Sequence, residues 1–217
     1  MRKLRIVVAD DHALMRRGIC DLLESEPGWE VVAEAGNGRE AVDAVASSKP
    51  DVLVIDLAMP ELNGLTATRE ILRSFPKVEV VLLTMHNTDQ TIREVLQSGA
   101  RGYVLKSDAE QDLITAVKAV ASGKPFFTPN VAEVVLKGYL SRNAKNESYE
   151  TPSELTTRER QVVQLLAEGK GNKDVAVAMR VSVKTVEAHR SNINRKLSIR
   201  STSDLVRYAI RNGIVAP

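Results

Sequence analysis

Five side chains stand out for the chemistry they could do together: Asp10, Asp11, Asp56, Thr84 and Lys106. Each ends or follows a short apolar run. Asp10 and Asp11 follow L-R-I-V-V-A, Asp56 follows V-L-V-I, Thr84 follows V-E-V-V-L-L, and Lys106 follows G-Y-V-L. Three carboxylates in one pocket repel, and at about 4 Å one like-charge pair costs roughly 4 kcal/mol at an effective dielectric near 20. A hard divalent cation offsets this, and an oxygen-only site with one or two carboxylates and waters suits Mg2+. A metal-bound carboxylate such as Asp56 can attack a phosphoryl group as a nucleophile. The metal and Lys106 would neutralise the charge on the phosphoryl oxygens, and the Thr84 hydroxyl can donate to the resulting acyl phosphate. Taken singly, each residue has a plainer reading. An Asp pair after a strand caps a helix, a threonine satisfies loop backbone, and a lysine is solvated. The conjunction favours the chemistry.

The surrounding elements must bring these residues to one place. Val52–Ile55 is apolar without a break and reads as a strand buried on both faces. Pro60 stops it, Asn63-Gly64 is a turn dipeptide, and an amphipathic stretch from about 65 to 74 follows. Leu4–Ala9, Val31-Val32, Val78–Thr84 and Gly102–Leu105 read as further strands. Between and after them, helical faces are marked by Met15, Ile19, Leu22 and Leu23, by Ala41, Ala44 and Val45, by Ile92, Val95 and Leu96, and by Leu113, Val117, Val120 and Ala121. Five βα units predict a parallel sheet covered on both faces. With strands one, three, four and five together in the middle, all five residues meet at the carboxyl edge, where open α/β sheets bind ligands.

The 217 residues suit one large domain or two small ones. Cys20 is the single cysteine, which excludes an internal disulfide framework and fits a reducing compartment. The basic N-terminus leads into a short apolar run ending at Asp10, a first strand rather than a signal peptide. No apolar run is long enough to span a bilayer, so the expectation is a cytoplasmic protein without a membrane partner. Charge is unevenly distributed. Residues 1–150 carry 18 Lys+Arg against 22 Asp+Glu, and residues 151–217 carry 12 against 6. An acidic front and a basic back predict two domains with different partners, the second suited to nucleic acid.

In the basic part, Thr156 and Glu159 form a capping box before an apolar helix containing Val162, Val163, Leu165 and Leu166, and Gly169 ends it. A short helix over 172–179 turns Val175, Ala176 and Met179 inward, and Ser182 caps the next, which turns Val186, Ile193 and Leu197 inward. The other faces of that helix carry Lys184, Thr185, Glu187, His189, Arg190, Ser191, Asn194 and Arg195. A last helix is expected over 202–212. Short helix, tight turn and a helix with a basic outer face read as helix-turn-helix, motif about 172–191. A small helical bundle with a solvated face has the same pattern.

Two resemblances narrow these alternatives. Residues 4–121 resemble the receiver domain of two-component response regulators through Asp10-Asp11, Asp56 in D-L-A-M-P-E-L-N-G, Thr84 and G-Y-V-L-K ending at Lys106. The words L-T-T-R-E-R, L-L-A-E-G-K, N-K-D-V-A and S-V-K-T-V-E-A-H-R resemble the LuxR-type DNA-binding domain that follows receivers in the NarL/FixJ class. The resemblance implies a flavodoxin-like receiver with strand order 2-1-3-4-5 over 1–121, a linker with a short helix over 122–153, and a helix-turn-helix domain over 154–217. It implies phosphorylation of Asp56 by a sensor histidine kinase, and Mg2+ on Asp11, Asp56 and the Ala58 carbonyl with Asp10 nearby through water. It also implies a switch pair in Thr84 and Tyr103, and a homodimer on double-stranded promoter DNA. Base-facing positions fall on Glu187, Ala188 and Ser191. Lys184, Thr185, His189, Arg190 and Arg195 match phosphate contacts. Gln161 stands where the family usually has Glu, so no charge role is carried over. Asp174 and Val175 replace the commoner Glu and Ile with similar types.

Two other function classes fit less well. A haloacid-dehalogenase-like hydrolase also forms an aspartyl phosphate but wants a second Asp two residues after the nucleophile, where this chain has Ala58. A receiver with an RNA- or protein-binding output conflicts with the helix-turn-helix wording. The expected protein is a regulator and not an enzyme, beyond self-phosphorylation and autodephosphorylation at Asp56.

Overall fold

The computed structural model describes residues 2–85, 88–128, 131, 155–199 and 201–215. The chain divides into two compact units, Met1–Asn143 and Ala144–Pro217. The first alternates strand and helix: β1 (Leu4–Ala9), α1 (Ala13–Glu24), β2 (Trp29–Ala35), α2 (Gly38–Ser48), β3 (Val52–Asp56), α3 (Gly64–Ser74), β4 (Glu79–Thr84), α4 (Asp89–Ser98), β5 (Gly102–Leu105), a 3-10 turn at Lys106–Asp108, and α5 (Ala109–Ala121). The strands form one parallel sheet in the order β2-β1-β3-β4-β5. This is the expected order, with β3 in the centre.

Strand alternation sorts the core into two layers. Val7, Leu53, Ile55, Leu82 and Tyr103 pack with Ala41 and Val45 of α2, Leu65 and Ile71 of α3, and Ile92 and Val95 of α4. Val8, Val52, Val54, Val81, Leu83 and Val104 pack with Ile19 and Leu23 of α1 and Leu113, Val117 and Val120 of α5. Every residue of β3 is buried, as an uninterrupted apolar strand between two helical layers must be. Met15, which its spacing assigns to the inner face of α1, is instead exposed, as is its neighbour Leu14. Both lie in the first turn of α1, before the helix has reached cover under α5.

The loop after β3 is tightly constrained. Asn63 caps α3 by accepting from Thr66 N–H at 2.9 Å. Gly64 N–H donates to Leu57 O at 2.9 Å, and a Cβ at Gly64 would overlap the Asp56 carbonyl. The turn dipeptide is therefore also a close approach of backbone to the strand end that carries Asp56. Past α5, Phe126 bridges β5: its N–H donates to Arg101 O at 2.8 Å and Tyr103 N–H donates to its carbonyl at 3.0 Å. Phe126 and Phe127 pack against the two cores, so the chain expected to begin a linker at 122 still lies on the sheet here. The short helix expected over about 131–140 lies outside the described residues except for Val131, which is buried.

The second unit contains α6 (Thr157–Ala167), α7 (Asn172–Met179), α8 (Val183–Leu197) and α9 (Thr202–Arg211). The Thr156–Glu159 capping box forms, with Glu159 N–H donating to Thr156 Oγ1 at 3.2 Å and Thr156 N–H donating to Glu159 Oε2 at 2.8 Å. Gly171 N–H donates to Asp174 Oδ2 at 3.2 Å at the start of α7, so the Asp that replaces the commoner Glu still serves the helix start. Ser182 caps α8 through Thr185 N–H at 3.1 Å. Val162, Val163, Val175, Met179, Val186, Ile193, Leu205 and Ala209 make one core. Among the described residues, no helix is long and apolar enough to cross a membrane.

Candidate functional site

Asp56 ends the central strand, and Asp10 follows β1, its neighbour in the sheet. Both side chains are buried. Lys106, just past β5, places Nζ 2.8 Å from Asp10 Oδ2 and 2.8 Å from Asp56 Oδ2. Strand parity explains the meeting: Asp10, Asp56 and Lys106 continue the alternation of Val8, Val54 and Val104, all on the α1/α5 face. Thr84 continues the alternation of Leu82 onto the opposite face, Tyr103 pairs with Leu82 across β4 and β5, and both are buried. The expected residues therefore share one sheet edge but divide between its two sides.

Burial pushes the Asp56 carboxyl up to about 6, although the Lys106 ammonium and the Ala58 N–H, which donates to the carboxylate, both pull it down. Loss of hydration outweighs the pairing because the strand end has no solvent of its own. Burial by itself would lower the lysine. The Asp56 and Asp10 carboxylates outweigh it and hold Lys106 above its ordinary value. Tyr103, buried beneath the α2–α4 layer, has its hydroxyl pushed up to about 12 by desolvation.

Asp11 is partly exposed, and its Oδ1 lies 2.8 Å from His12 Nδ1. Ligand atoms of Asp10, Asp11, His12 and Asp56 fall within 4.8 Å of one another. Asp10 Oδ2 and Asp11 Oδ1 are buried, and each has an ion-pair partner at 2.8 Å, Lys106 Nζ and His12 Nδ1 respectively. Desolvated carboxylate oxygens gathered this closely fit a hard cation such as Mg2+. Ala58 lies two residues beyond Asp56 in the loop and is partly exposed.

His12 is the neighbour that the sequence reading left out. Its N–H donates to Asp10 Oδ1 at 2.8 Å. Arg16, also unassigned, donates to the Asp10 carbonyl at 2.6 Å and to Glu34 Oε2 at 3.0 Å, fixing the turn into α1. The signal for His12 was its position directly after the Asp pair. Arg16 gave none, since its role depends on the pairing of β1 with β2.

In the second unit, Lys184, Thr185, Glu187, Ala188, Ser191 and Arg195 are exposed on α8, and His189 and Arg190 are partly buried. Arg190 Nη1 donates to Asn172 Oδ1 at 2.7 Å, and Lys196 Nζ donates to Glu159 Oε2 at 2.7 Å. Neither partnership was legible beforehand, because both partners lie on other helices.

A doubly wound domain with an acidic site at its carboxyl edge, followed by a helix-turn-helix unit, defines the class of receiver-controlled regulators. Residues 6–118 match the model of the response regulator receiver domain, and residues 153–209 match that of the bacterial regulatory proteins of the luxR family. The chain belongs to the response regulators with a LuxR-type DNA-binding domain, and it is a transcription regulator of the two-component type. It is 39% identical over 216 residues to the oxygen regulatory protein NreC of Staphylococcus epidermidis, covering 98% of this chain and 99% of that one. It is 37% identical over 227 residues to the transcriptional regulatory protein DegU of Brevibacillus brevis, covering 98% and 95%. The solved structure of RcsB from Salmonella enterica serovar Typhimurium, bound to promoter rprA in the presence of phosphomimetic BeF3-, is similar with a TM-score of 0.68 at 27% identity, covering 95% and 98%.

Proposed function

We propose that Asp56 accepts a phosphoryl group from a sensor histidine kinase and that this modification controls binding of the second unit to promoter DNA as a homodimer. The observation that carries the proposal is the convergence of Lys106 on Asp10 and Asp56 at 2.8 Å each, within reach of Asp11. The nucleophile is an Asp56 oxygen, which forms a P–O bond as the donor's bond to phosphorus breaks. Lys106 neutralises charge on the transferred group, and Ala58 N–H orients the carboxylate. Asp11, Asp56 and the Ala58 carbonyl would hold Mg2+ with Asp10 nearby. The metal, when bound, screens repulsion among carboxylates and phosphoryl oxygens. Thr84 and Tyr103 form the switch pair.

On α8, Glu187, Ala188 and Ser191 read bases, while Lys184, Thr185, His189 and Arg195 meet phosphates; Arg190 carries the same resemblance but is engaged by Asn172. The receiver extends past α5 to include the segment around Phe126 and Phe127, which packs on the sheet, and the DNA-binding domain spans 154–217. The DNA complex of RcsB supports this reading by similarity.

The test is intact-mass measurement after incubation with Mg2+ and a small acyl-phosphate donor. The wild-type chain gains one phosphoryl group, Asp56→Asn gains none, and Asp11→Asn labels more slowly through a weakened metal site. Unchanged labelling of Asp56→Asn refutes the assignment. Sedimentation with a phosphate mimic tests the dimer.

A further inference from the structure

Recognition helix α8 carries its basic residues in two arrangements. Lys184, Ala188, Ser191 and Arg195 follow at i, i+4, i+7 and i+11, one stripe, and all are exposed. Val186 and Ile193 face the core and are buried. Arg190 falls on that core-facing stripe, four residues after Val186 and three before Ile193. Its guanidinium points within the unit, donating from Nη1 to Asn172 Oδ1 at 2.7 Å. On the opposite flank, Lys196 Nζ reaches Glu159 Oε2 at 2.7 Å, and Glu159 is buried at the start of α6.

The position of the Asn172–Arg190 bond within the motif matters. Helices α7 and α8 are joined by Arg180, Val181 and Ser182, with Arg180 in the left-handed region at φ 55°. That turn closes one end of the helix pair. Asn172 is the first residue of α7, and Arg190 is the middle residue of α8, about two turns from its start. Their bond therefore closes the open end. The turn at one end and this hydrogen bond at the other act with the shared core of Val175, Met179, Val186 and Ile193 to hold the angle between the helices. That angle decides whether the exposed stripe reaches base edges when α7 crosses the backbone.

We propose that Arg190 is a positioning residue, which sets the angle of the recognition helix through Asn172 and contributes no phosphate contact of its own. Lys196 braces the other flank through Glu159. The phosphate-facing charge of α8 then comes from Lys184 and Arg195. This inference rests on the reading of α8 as the DNA-facing helix.

The two roles have different salt signatures. A residue that meets a phosphate releases a counterion, and its loss flattens the dependence of log affinity on log salt by about 0.9. A residue that only sets the helix angle weakens binding and leaves the slope unchanged. The probe is a duplex selected from a random-sequence pool by the full-length wild-type protein, titrated across a salt series. Arg190→Ala and Asn172→Ala are each expected to weaken binding by roughly three- to tenfold at the wild-type slope, and the double variant no further, since both remove one interaction. Lys184→Ala should flatten the slope and serves as the positive control. A flattened slope for Arg190→Ala, with Asn172→Ala at wild-type affinity, would overturn the proposal.

Asn172→Ala keeps the Arg190 charge and leaves the apolar core intact, so it stays informative where Arg190→Ala folds poorly. A second readout needs no DNA. Thermal unfolding of the full chain, followed by helical circular dichroism, should show similar losses for the two single variants that do not add in the double. Additive losses would also overturn the brace. A wild-type protein that selects no duplex refutes the DNA-facing reading, while the unfolding cycle still decides the brace.

Discussion

Replacing Asp56 with asparagine removes a buried negative charge at nearly constant side-chain volume. Burial holds the Asp56 carboxyl at about 6, against an ordinary aspartate value of about 4. Between those values the folded chain binds a proton that the unfolded chain does not, so folded-state stability falls as pH rises through this window. Two pKa units correspond to about 3 kcal/mol. Asp56→Asn avoids that cost, and Lys106 keeps Asp10 as its partner at 2.8 Å. The variant should therefore be more stable than wild type by up to about 3 kcal/mol at pH 7 to 8, with the difference shrinking towards zero below about pH 4. Groups that do not touch Asp56 cancel in the comparison, whereas Lys106 loses one of its two carboxylate partners and keeps the other.

The assay needs no dissection of the chain. Trp29 is the single tryptophan and begins β2, so its fluorescence in urea reports on the receiver within the full-length protein. Mg2+ provides an internal check. A ligand at a hundred times its Kd stabilises the folded state by about 2.7 kcal/mol, and the site loses an anionic ligand in the variant. Saturating Mg2+ should therefore narrow the gap at pH 7.5. A variant no more stable than wild type at pH 7.5, or a gap that does not shrink on acidification, would refute the claim that desolvation dominates at this carboxylate.

Other expectations follow from single contacts. Gly64→Ala puts a methyl group onto the Asp56 carbonyl and should cost about 3 kcal/mol or more, again visible through Trp29, with slower phosphoryl labelling because the strand end must move. Burial raises the Glu159 carboxyl, but hydrogen bonds from Lys196 and the Thr156 backbone outweigh it and hold the group below the usual range. Its stabilisation is present above the ordinary glutamate value and lost as pH falls through the depressed one. Lys196→Ala should cost about 2–3 kcal/mol near neutrality and move acid unfolding of the second unit, followed by circular dichroism, to higher pH. Glu187→Ala should change base preference in a selection experiment by roughly 1–3 kcal/mol at one position, whereas Lys184→Ala should weaken all duplexes alike.

The legible part of this chain is the part written in local pattern. Short, mainly apolar runs located the strands, and the residue type at each run's end located Asp10, Asp56, Thr84 and Lys106. Strand parity then determined which face each residue joins, and the sequence carries that information once the strand ends are known. Less was legible wherever a side chain's role depends on a partner distant in sequence. His12 adjoined a recognised pair and was still missed. Arg16 braces the Asp10 turn only because β2 brings Glu34 beside it. Arg190, by residue type an obvious phosphate contact, proves to be hydrogen-bonded to Asn172, which lies 18 residues away on α7. Met15 matched the helical period, yet α1's first turn lacks cover.

The division of the site between two faces of the sheet bears on how a signal could leave it. The charged groups that would handle a phosphoryl group lie on the α1/α5 side, and Thr84 and Tyr103 lie on the side of α2, α3 and α4. A phosphoryl group on Asp56 would sit at the edge between them, and its reach across the sheet would pass through Thr84, at the end of the neighbouring strand. Tyr103 is already fully buried in the unmodified chain, with its hydroxyl pushed up to about 12. The inward position of the ring does not therefore require the phosphoryl group. Modification can shift the equilibrium only by interacting differently with its two sides, and a shift from 1:99 to 99:1 takes roughly 5.5 kcal/mol. With the ring already inward, the difference rests on what Thr84 gains. Thr84→Ala should then uncouple dimer formation in sedimentation with a phosphate mimic while leaving mass labelling of Asp56 intact. Full dimerisation of Thr84→Ala with the mimic would show that the signal leaves by the α1/α5 face instead.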